Sequence, residues 1–286
     1  MDVGALVNQQ YTVIEHIGRG GMADVWSARD TRLRRMVAIK TIVTGLGKDI
    51  DPVDLFKREA HTIAQMEHPH ILPVYDFGEF DNNLYIVMRY VTGGSLEDTL
   101  RDGPMQASDV LRMGDAIAKA LDYAHQNNVI HLDLKPPNIL LDSSDSPYLA
   151  DFGLATVLDP EGRARNPGSG TLLYMAPEQM ISETIDHRAD IYAFCIMMFH
   201  MLTGKLPFEG NTPLSMSQVQ RDIGLPSLND YVSDIPHEVT ELLRLGTNQD
   251  PKYRPETHMD VMEQFRAIIQ PSGITLASTA FEDDYN

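Results

Sequence analysis

Residues 131–138 read HLDLKPPN and bring an acid, an ammonium and an amide together as Asp133, Lys135 and Asn138. Apolar runs flank them, NVI before and ILL after. Charged groups between stretches that bury need partners or a task. A second acid follows in LADFGLA, where Asp151 ends an apolar strand. A metal-binding carboxylate would be well placed there, and Asn138 can supply a second oxygen. Two oxygen ligands together with phosphates suit Mg²⁺, which keeps several of its waters.

Phosphate chemistry has two further signals. IGRGGMADVW sets Gly18, Gly20 and Gly21 between two strands. Glycines let backbone N–H groups approach phosphates without a Cβ in the way. A hairpin turn that needs positive φ accounts for them equally well. No Walker A lysine follows, and the strand that comes next, in place of a helix, argues against a dinucleotide fingerprint. In VAIK, Val37 and Ile39 face one side of a strand, and Ala38 and Lys40 the other. A flat ligand can lie on Ala38 while Lys40 reaches its phosphates; an exposed strand lysine is the plainer alternative. Glu59 shares a helical face with Phe56, Ala60 and Ile63. A carboxylate on a buried stripe needs a partner, and Lys40 is the one expected, unless Glu59 reaches water at the boundary.

The elements that must position these groups fall into two kinds. YTVIEHI, DVWSARD, RMVAIKTIV, ILPVYDFGEF and NLYIVMRYV read as strands. DPVDLFKREAHTIAQM reads as a helix capped by Asp51, with Pro52 at its first position. Beyond VTGGS the pattern turns helical. Ser95 and Asp98 form a capping-box signature, and Val110, Met113, Ile117, Leu121 and Ala124 keep helical spacing. DIYAFCIMMFHML reads as a buried helix carrying Cys195 as a core residue.

The chain has 286 residues, enough for one large domain or two lobes, and 43% are apolar. A net charge of −18 disfavours nucleic acid and anionic membranes; it favours cationic partners or serves solubility. The single cysteine excludes an internal disulfide and fits a reducing, cytoplasmic compartment. No signal peptide or membrane-spanning run is evident, and Asp2 excludes N-terminal myristoylation. Membrane attachment is open if the natural protein continues past residue 286.

Taken in order, GRGGMA, VAIK, Glu59, HLDLKPPN, DFG, APE, Asp190 and Arg254 resemble the motif set of the eukaryotic-type protein kinase domain. The likeness runs from about Tyr11 to Ile268, and GRGGMADVW is most similar to bacterial serine/threonine kinases. It implies an α+β, bilobal fold with a small strand-rich N-lobe carrying one main helix and a larger, mainly α C-lobe. The implied boundaries are an N-terminal extension 1–10, a kinase domain 11–268 (N-lobe 11–88, hinge 89–94, C-lobe 95–268) and an acidic tail 269–286.

The resemblance also implies roles, with ATP and Mg²⁺ as cofactors and Ser/Thr hydroxyls of proteins, basic peptides among them, as acceptors. Lys40, oriented by Glu59, would hold the α- and β-phosphates, and Asn138 and Asp151 the metal. Asp133 would orient the acceptor hydroxyl and take its proton, and Lys135 would steady the γ-phosphoryl group. Thr171 would bridge Asp133 and Lys135, or serve as a phosphorylation site. Adenine would lie between Val25 and Ala38 on one side and Leu140 on the other, bonded by the backbone of Arg89 and Val91. Ile17 and the glycines would cover the nucleotide, Met88 matches the gatekeeper position, and Ser95 would lie near the ribose. Phe152, Gly153, Glu178, Asp190 and Arg254 would hold shape. Two departures stand out. Ala23 replaces a glycine of the phosphate loop, and Leu132 replaces the arginine that in such kinases pairs with an activation-loop phosphate. Leucine cannot make a charge-assisted bond, which implies activity independent of that pairing. Ser169 and Thr156 remain candidate phosphate acceptors. The rival readings are a pseudokinase or nucleotide-binding scaffold, and a small-molecule phosphotransferase. Intact Lys40, Asp133 and Asp151 argue against the first, and APE with the segment around Thr171 against the second.

Overall fold

The computed structural model describes residues 1–19, 23–43, 64–81, 83–152, 156–166, 170–208, 210 and 212–270. They fall into two compact units, Met1–Gly94 with Leu140–Gly153, and Ser95–Ile139 with Leu154–Asn286.

The strand-rich unit is built on an antiparallel sheet of six strands. These are β1 (Leu6–Val7), β2 (Tyr11–Arg19), β3 (Ala23–Asp30), β4 (Arg35–Val43), β5 (Val74–Phe80) and β6 (Asn83–Arg89), ordered β1-β2-β3-β4-β6-β5. Alternation within β4 decides which face buries. Val37 and Ile39 are fully buried beside Val7, Tyr11, Val13, Ala28, Tyr85 and Val87. Ala38 and Lys40 therefore take the other face. Residues 1–10, read from sequence as an extension, contribute β1, because the fully buried Val7 completes the apolar face. The helix expected over 51–66 falls almost wholly outside the described residues.

Residues 140–153, placed with the helical lobe by the sequence boundaries, cluster instead with the sheet. Backbone bonding is the reason. β8 (Ile139–Leu141) pairs with β9 (Pro147–Leu149). Gly93 N–H donates to Leu141 O at 2.8 Å, Leu141 N–H to Gly94 O at 2.9 Å, and Leu72 N–H to Leu149 O at 2.9 Å. Gly93 is required at this seam, since a Cβ there would lie 2.3 Å from the Asp142 carbonyl oxygen.

In the helical unit the described helices are α1 (Leu96–Arg101), α2 (Ala107–Gln126), α3 (Pro177–Ile181), α4 (Arg188–Thr203), α5 (Pro213–Ile223), α6 (His237–Gly246) and α7 (His258–Ile269). Ser95 and Asp98 form the expected capping box at the start of α1. All five stripe positions of α2 are buried, and full burial of a Val, Ile, Leu or Met side chain contributes about 1.5–3 kcal/mol. α4 is buried on nearly every side and stops at Gly204, whose φ of 66° suits a left-handed cap. Cys195 lies wholly inside it, and burial pushes its thiol up to about 12. A Cβ on Gly246 of α6 would collide with that sulfur, so the glycine sets the close approach of α4 and α6. The start of α7 is held by Asp122 of α2, which accepts from His258 N–H at 2.9 Å, Met259 N–H at 3.0 Å and His258 Nδ1 at 2.7 Å. Among the described residues no helix is long and apolar enough to cross a membrane.

Candidate active site

Residues 131–135 follow β7 (Val129–Ile130) and run into a short 3₁₀ turn at Pro136–Asn138. Proline at the first position of that turn suits its fixed φ. The turn brings Asn138 back onto Asp133, where Asn138 Nδ2 donates to the Asp133 carbonyl at 2.7 Å and to Oδ2 at 3.2 Å. Lys135 Nζ lies 2.7 Å from Asp133 Oδ2. Thr171 stands between acid and ammonium. Its hydroxyl donates to Asp133 Oδ1 at 2.9 Å and accepts from Lys135 Nζ at 2.6 Å, while its N–H donates to Oδ1 at 3.0 Å. A hydroxyl is the group that can do both at once. The Asp133 carboxylate is thus fixed on both oxygens.

Beneath the loop, Asp190 of α4 is fully buried. Its Oδ2 accepts from His131 N–H at 2.7 Å and from His125 Nε2 at 2.8 Å, and its Oδ1 accepts from Leu132 N–H at 2.8 Å. Burial would raise its carboxyl, but the hydrogen bonds and charge of His125 and the His131 bond outweigh that and hold it far below the usual range. Leu132 has a φ of +63°, a left-handed conformation that costs an ordinary L-residue roughly 1–2 kcal/mol. Asp190 holds that turn in place. Leu132 is itself buried, at 5% exposure. Its carbonyl accepts from Gln179 Nε2 at 3.3 Å.

Around the segment that carries Thr171, Glu178 and Arg254 form a two-pronged pair at 2.6 and 2.8 Å. Arg254 also donates to the carbonyls of Asn248 and Arg188, both at 2.8 Å, so its buried charge is surrounded by acceptors. Tyr174 OH meets His200 Nδ1 at 2.8 Å. Burial raises the tyrosine and lowers the histidine.

The strand-rich unit holds the other predicted residues. Gly18, Val25 and Lys40 are direct cross-strand neighbours, as are Ala38 and Met88, and all lie on the face opposite the sheet core. Met88, Val91 and Leu140 pack against buried Leu72, Tyr148 and Ala150, making a compact apolar surface. Lys40 is ion-paired with Asp151, which has a φ of +60°. Phe152 is buried. Ile17 is 42% exposed. Arg89 N–H is bonded to Pro73 O at 3.0 Å, and its guanidinium lies 4.8 Å from the Tyr148 ring centroid. Ser95 serves as the cap of α1, its hydroxyl donating to Asp98 Oδ2 at 2.7 Å. Gly20, Gly21, Glu59, Gly153 and Ser169 lie outside the described residues, as does the Thr156 side chain. The expected Lys40–Glu59 pair is among them; the described partner of Lys40 is Asp151.

Sequence reasoning missed three residues that these bonds bring into the site. His125 reaches Asp190 across 65 positions, a distance no local pattern reports. Gln179 and Asn166, whose Nδ2 donates to the Gln179 carbonyl at 2.8 Å, act through backbone carbonyls, which leave no signature in residue type.

A sheet presenting a lysine–aspartate pair beside an apolar surface, and a helical unit presenting the Asp–Lys–Asn–Thr cluster, define the protein kinases as a class. The family model described as the protein kinase domain matches residues 11–265, and the chain belongs to that family. It is 35% identical over 286 residues to the serine/threonine-protein kinase PrkC of Bacillus subtilis, covering 99% of this chain and 44% of that protein. It is 40% identical over 234 residues to the serine/threonine-protein kinase PknF of Mycobacterium tuberculosis, covering 79% and 49%. Identity to the probable serine/threonine-protein kinase PknB of Lactococcus lactis is 33% over 271 residues, covering 94% and 43%. The chain therefore spans less than half the length of these relatives. The family and the α+β architecture expected from the sequence are both borne out.

Proposed function

We propose that the chain transfers the γ-phosphoryl group of ATP to serine and threonine hydroxyls of proteins, its own included. The observation that carries this is the cluster in which Asp133 is fixed by Lys135, Asn138 and Thr171. In this reading the acceptor hydroxyl oxygen attacks the γ-phosphorus. Its proton passes to the Asp133 carboxylate as the new O–P bond forms. The bond from the γ-phosphorus to the β–γ bridging oxygen breaks, and ADP leaves. Lys135 faces the charge on the moving group, and Lys40 holds the α- and β-phosphates. Glu59 orients Lys40. Adenine takes the apolar surface of Val25, Ala38, Met88, Val91 and Leu140.

The residues present suit Mg²⁺. Asp151 offers a carboxylate oxygen, and Asn138, whose amide nitrogen is taken up by Asp133, offers an amide oxygen. Two hard oxygen donors match that ion. When bound it would neutralise phosphate charge.

The domain limits 11–268, the hinge 89–94 and the acidic tail 269–286 belong to the same proposal, as does a cytoplasmic setting, supported by the single buried cysteine. The net charge of −18 supports basic acceptor peptides. Leu132 supports activity without an activation-loop phosphate pair.

The test is incubation with labelled ATP and Mg²⁺, comparing wild type with Asp133→Asn. Labelling should fall by about 10²–10⁴-fold. Equal labelling in both would overturn the reading and leave a scaffold.

A further inference from the structure

We infer that Gln179 is a positioning residue that couples the activation segment to the catalytic aspartate. This rests on the phosphoryl-transfer reading, in which Asp133 orients the acceptor hydroxyl. Gln179 sits in α3 at 4% exposure. Its Oε1 accepts from Ala176 N–H at 2.9 Å, closing the first turn of that helix. Its Nε2 donates to the carbonyl of Leu132, the residue before Asp133, at 3.3 Å. On the other side, Asn166 of the activation segment donates its Nδ2 to the Gln179 carbonyl at 2.8 Å and to Ser182 O at 2.7 Å. A continuous run of hydrogen bonds thus leads from Asn166 through Gln179 to the peptide that carries Asp133.

Leu132 is the residue at which such a link matters. With φ at +63° it occupies a disfavoured conformation that the surroundings must impose. Asp190 binds its N–H, in the peptide bond from His131, and Gln179 binds its C=O, in the peptide bond to Asp133. The leucine side chain has no donor of its own, so neutral amides carry the coupling that a charged side chain could otherwise make. The bonded carbonyl lies in the peptide bond that leads into Asp133, so Gln179 holds the backbone from which the Asp133 side chain projects.

Gln179→Glu separates the two jobs of the side chain. It keeps an acceptor for Ala176 N–H and loses the donor to Leu132 O. At pH 8 the variant should lose roughly 10-fold to 100-fold in kcat for peptide phosphorylation, with KM for ATP unchanged and Tm lowered by the buried charge. As pH falls, the buried carboxyl takes up a proton and can donate again, so the ratio of variant to wild-type kcat should rise. Gln179→Met, which removes both bonds, should lose kcat at every pH. A wild-type kcat in Gln179→Glu overturns the proposal, as does a loss that does not vary with pH. Should Gln179→Glu fail to fold, Asn166→Ala takes its place: kcat should fall at constant KM for ATP, and an unchanged kcat overturns the coupling. Wild-type labelling that Asp133→Asn abolishes, together with a fully active Gln179→Glu, rejects this inference alone. Labelling equal in wild type and Asp133→Asn rejects the underlying reading.

Discussion

Asp190 Oδ1 accepts the N–H of Leu132 at 2.8 Å, and so a fully buried acid in one helix fixes a left-handed residue next to Asp133. Its other oxygen is shared between His131 N–H and His125. Asp190→Ala would strand two buried N–H donors and one imidazole. Loss of a buried charged hydrogen-bond partner costs about 3–5 kcal/mol. Urea denaturation should report a loss of that size, and Asp190→Asn, which keeps an acceptor, should lose less. A change below 1 kcal/mol (an ordinary surface effect) would contradict the role.

Thr171 links Asp133 and Lys135 through one hydroxyl. A hydrogen bond to a charged group is worth about 1.5–3 kcal/mol, or roughly 10-fold to 150-fold in rate if it is needed in the transition state. Thr171→Ala should therefore lower kcat by that order with little change in KM for ATP. Thr171→Ser should retain most of the rate. If serine is as damaging as alanine, the hydroxyl bridge is not what matters.

Leucine at 132 has no charge with which to bind a phosphate. Ser169→Ala with Thr156→Ala should leave peptide phosphorylation within about twofold of wild type, because no charge-assisted bond is removed. The measurement is initial rate on freshly purified, phosphatase-treated protein. A collapse that tracks lost phosphate would show that another cation reads the activation loop.

Burial lowers His187 and His200 below their ordinary 6.5, with His125 and Arg188 adding to the effect at His187 against Asp186. The folded state binds these protons less readily than the unfolded chain. Their contribution to stability is therefore complete above pH 6.5 and is lost as pH falls through the folded values. Asp122 and Asp190 are also held low, so their contribution persists above their ordinary 3.8 and fails below it. A thermal scan should give a Tm that is flat from pH 8 to 7, declines from there toward pH 5, and drops again in acid. A Tm that climbs between pH 7 and 5 would contradict the sign.

Glu178 and Arg254 bury their charges against each other, the arginine side chain with no exposure at all. Glu178→Ala should cost about 3–5 kcal/mol by leaving an unpaired buried guanidinium. Replacing both partners with methionine should recover part of that loss. Equal losses in the single and double variants would mean that packing, and not charge, sets the cost.

Much of this was written in residue type and spacing. The alternation Val37–Ala38–Ile39–Lys40 already assigned the two faces of β4, because a pleat admits only two. The stripe from Val110 to Ala124 named the buried face of α2, and Ser95 with Asp98 named its predecessor's start. The six-position grouping of Asp133, Lys135 and Asn138 could be seen in a single line of sequence, since one short turn assembles it.

Other relationships depend on side chains meeting groups far away in the chain. Asp190 reaches His131 and Leu132 across nearly sixty positions, Arg254 reaches Glu178 across 76, and Gln179 finds the carbonyl of Leu132 across 47. Residue type reveals that Asp190 or Arg254 must be satisfied once buried, but not by whom. A carbonyl is the same in every residue, so the partners of Gln179 and Asn166 had no signature to read. The left-handed turn at Leu132 is likewise invisible in a leucine, whose own preference is for another conformation. Local periodicity and short-range chemistry follow from the chain itself; the choice among chemically identical backbone acceptors, and the strain they hold in place, is made only when helices pack.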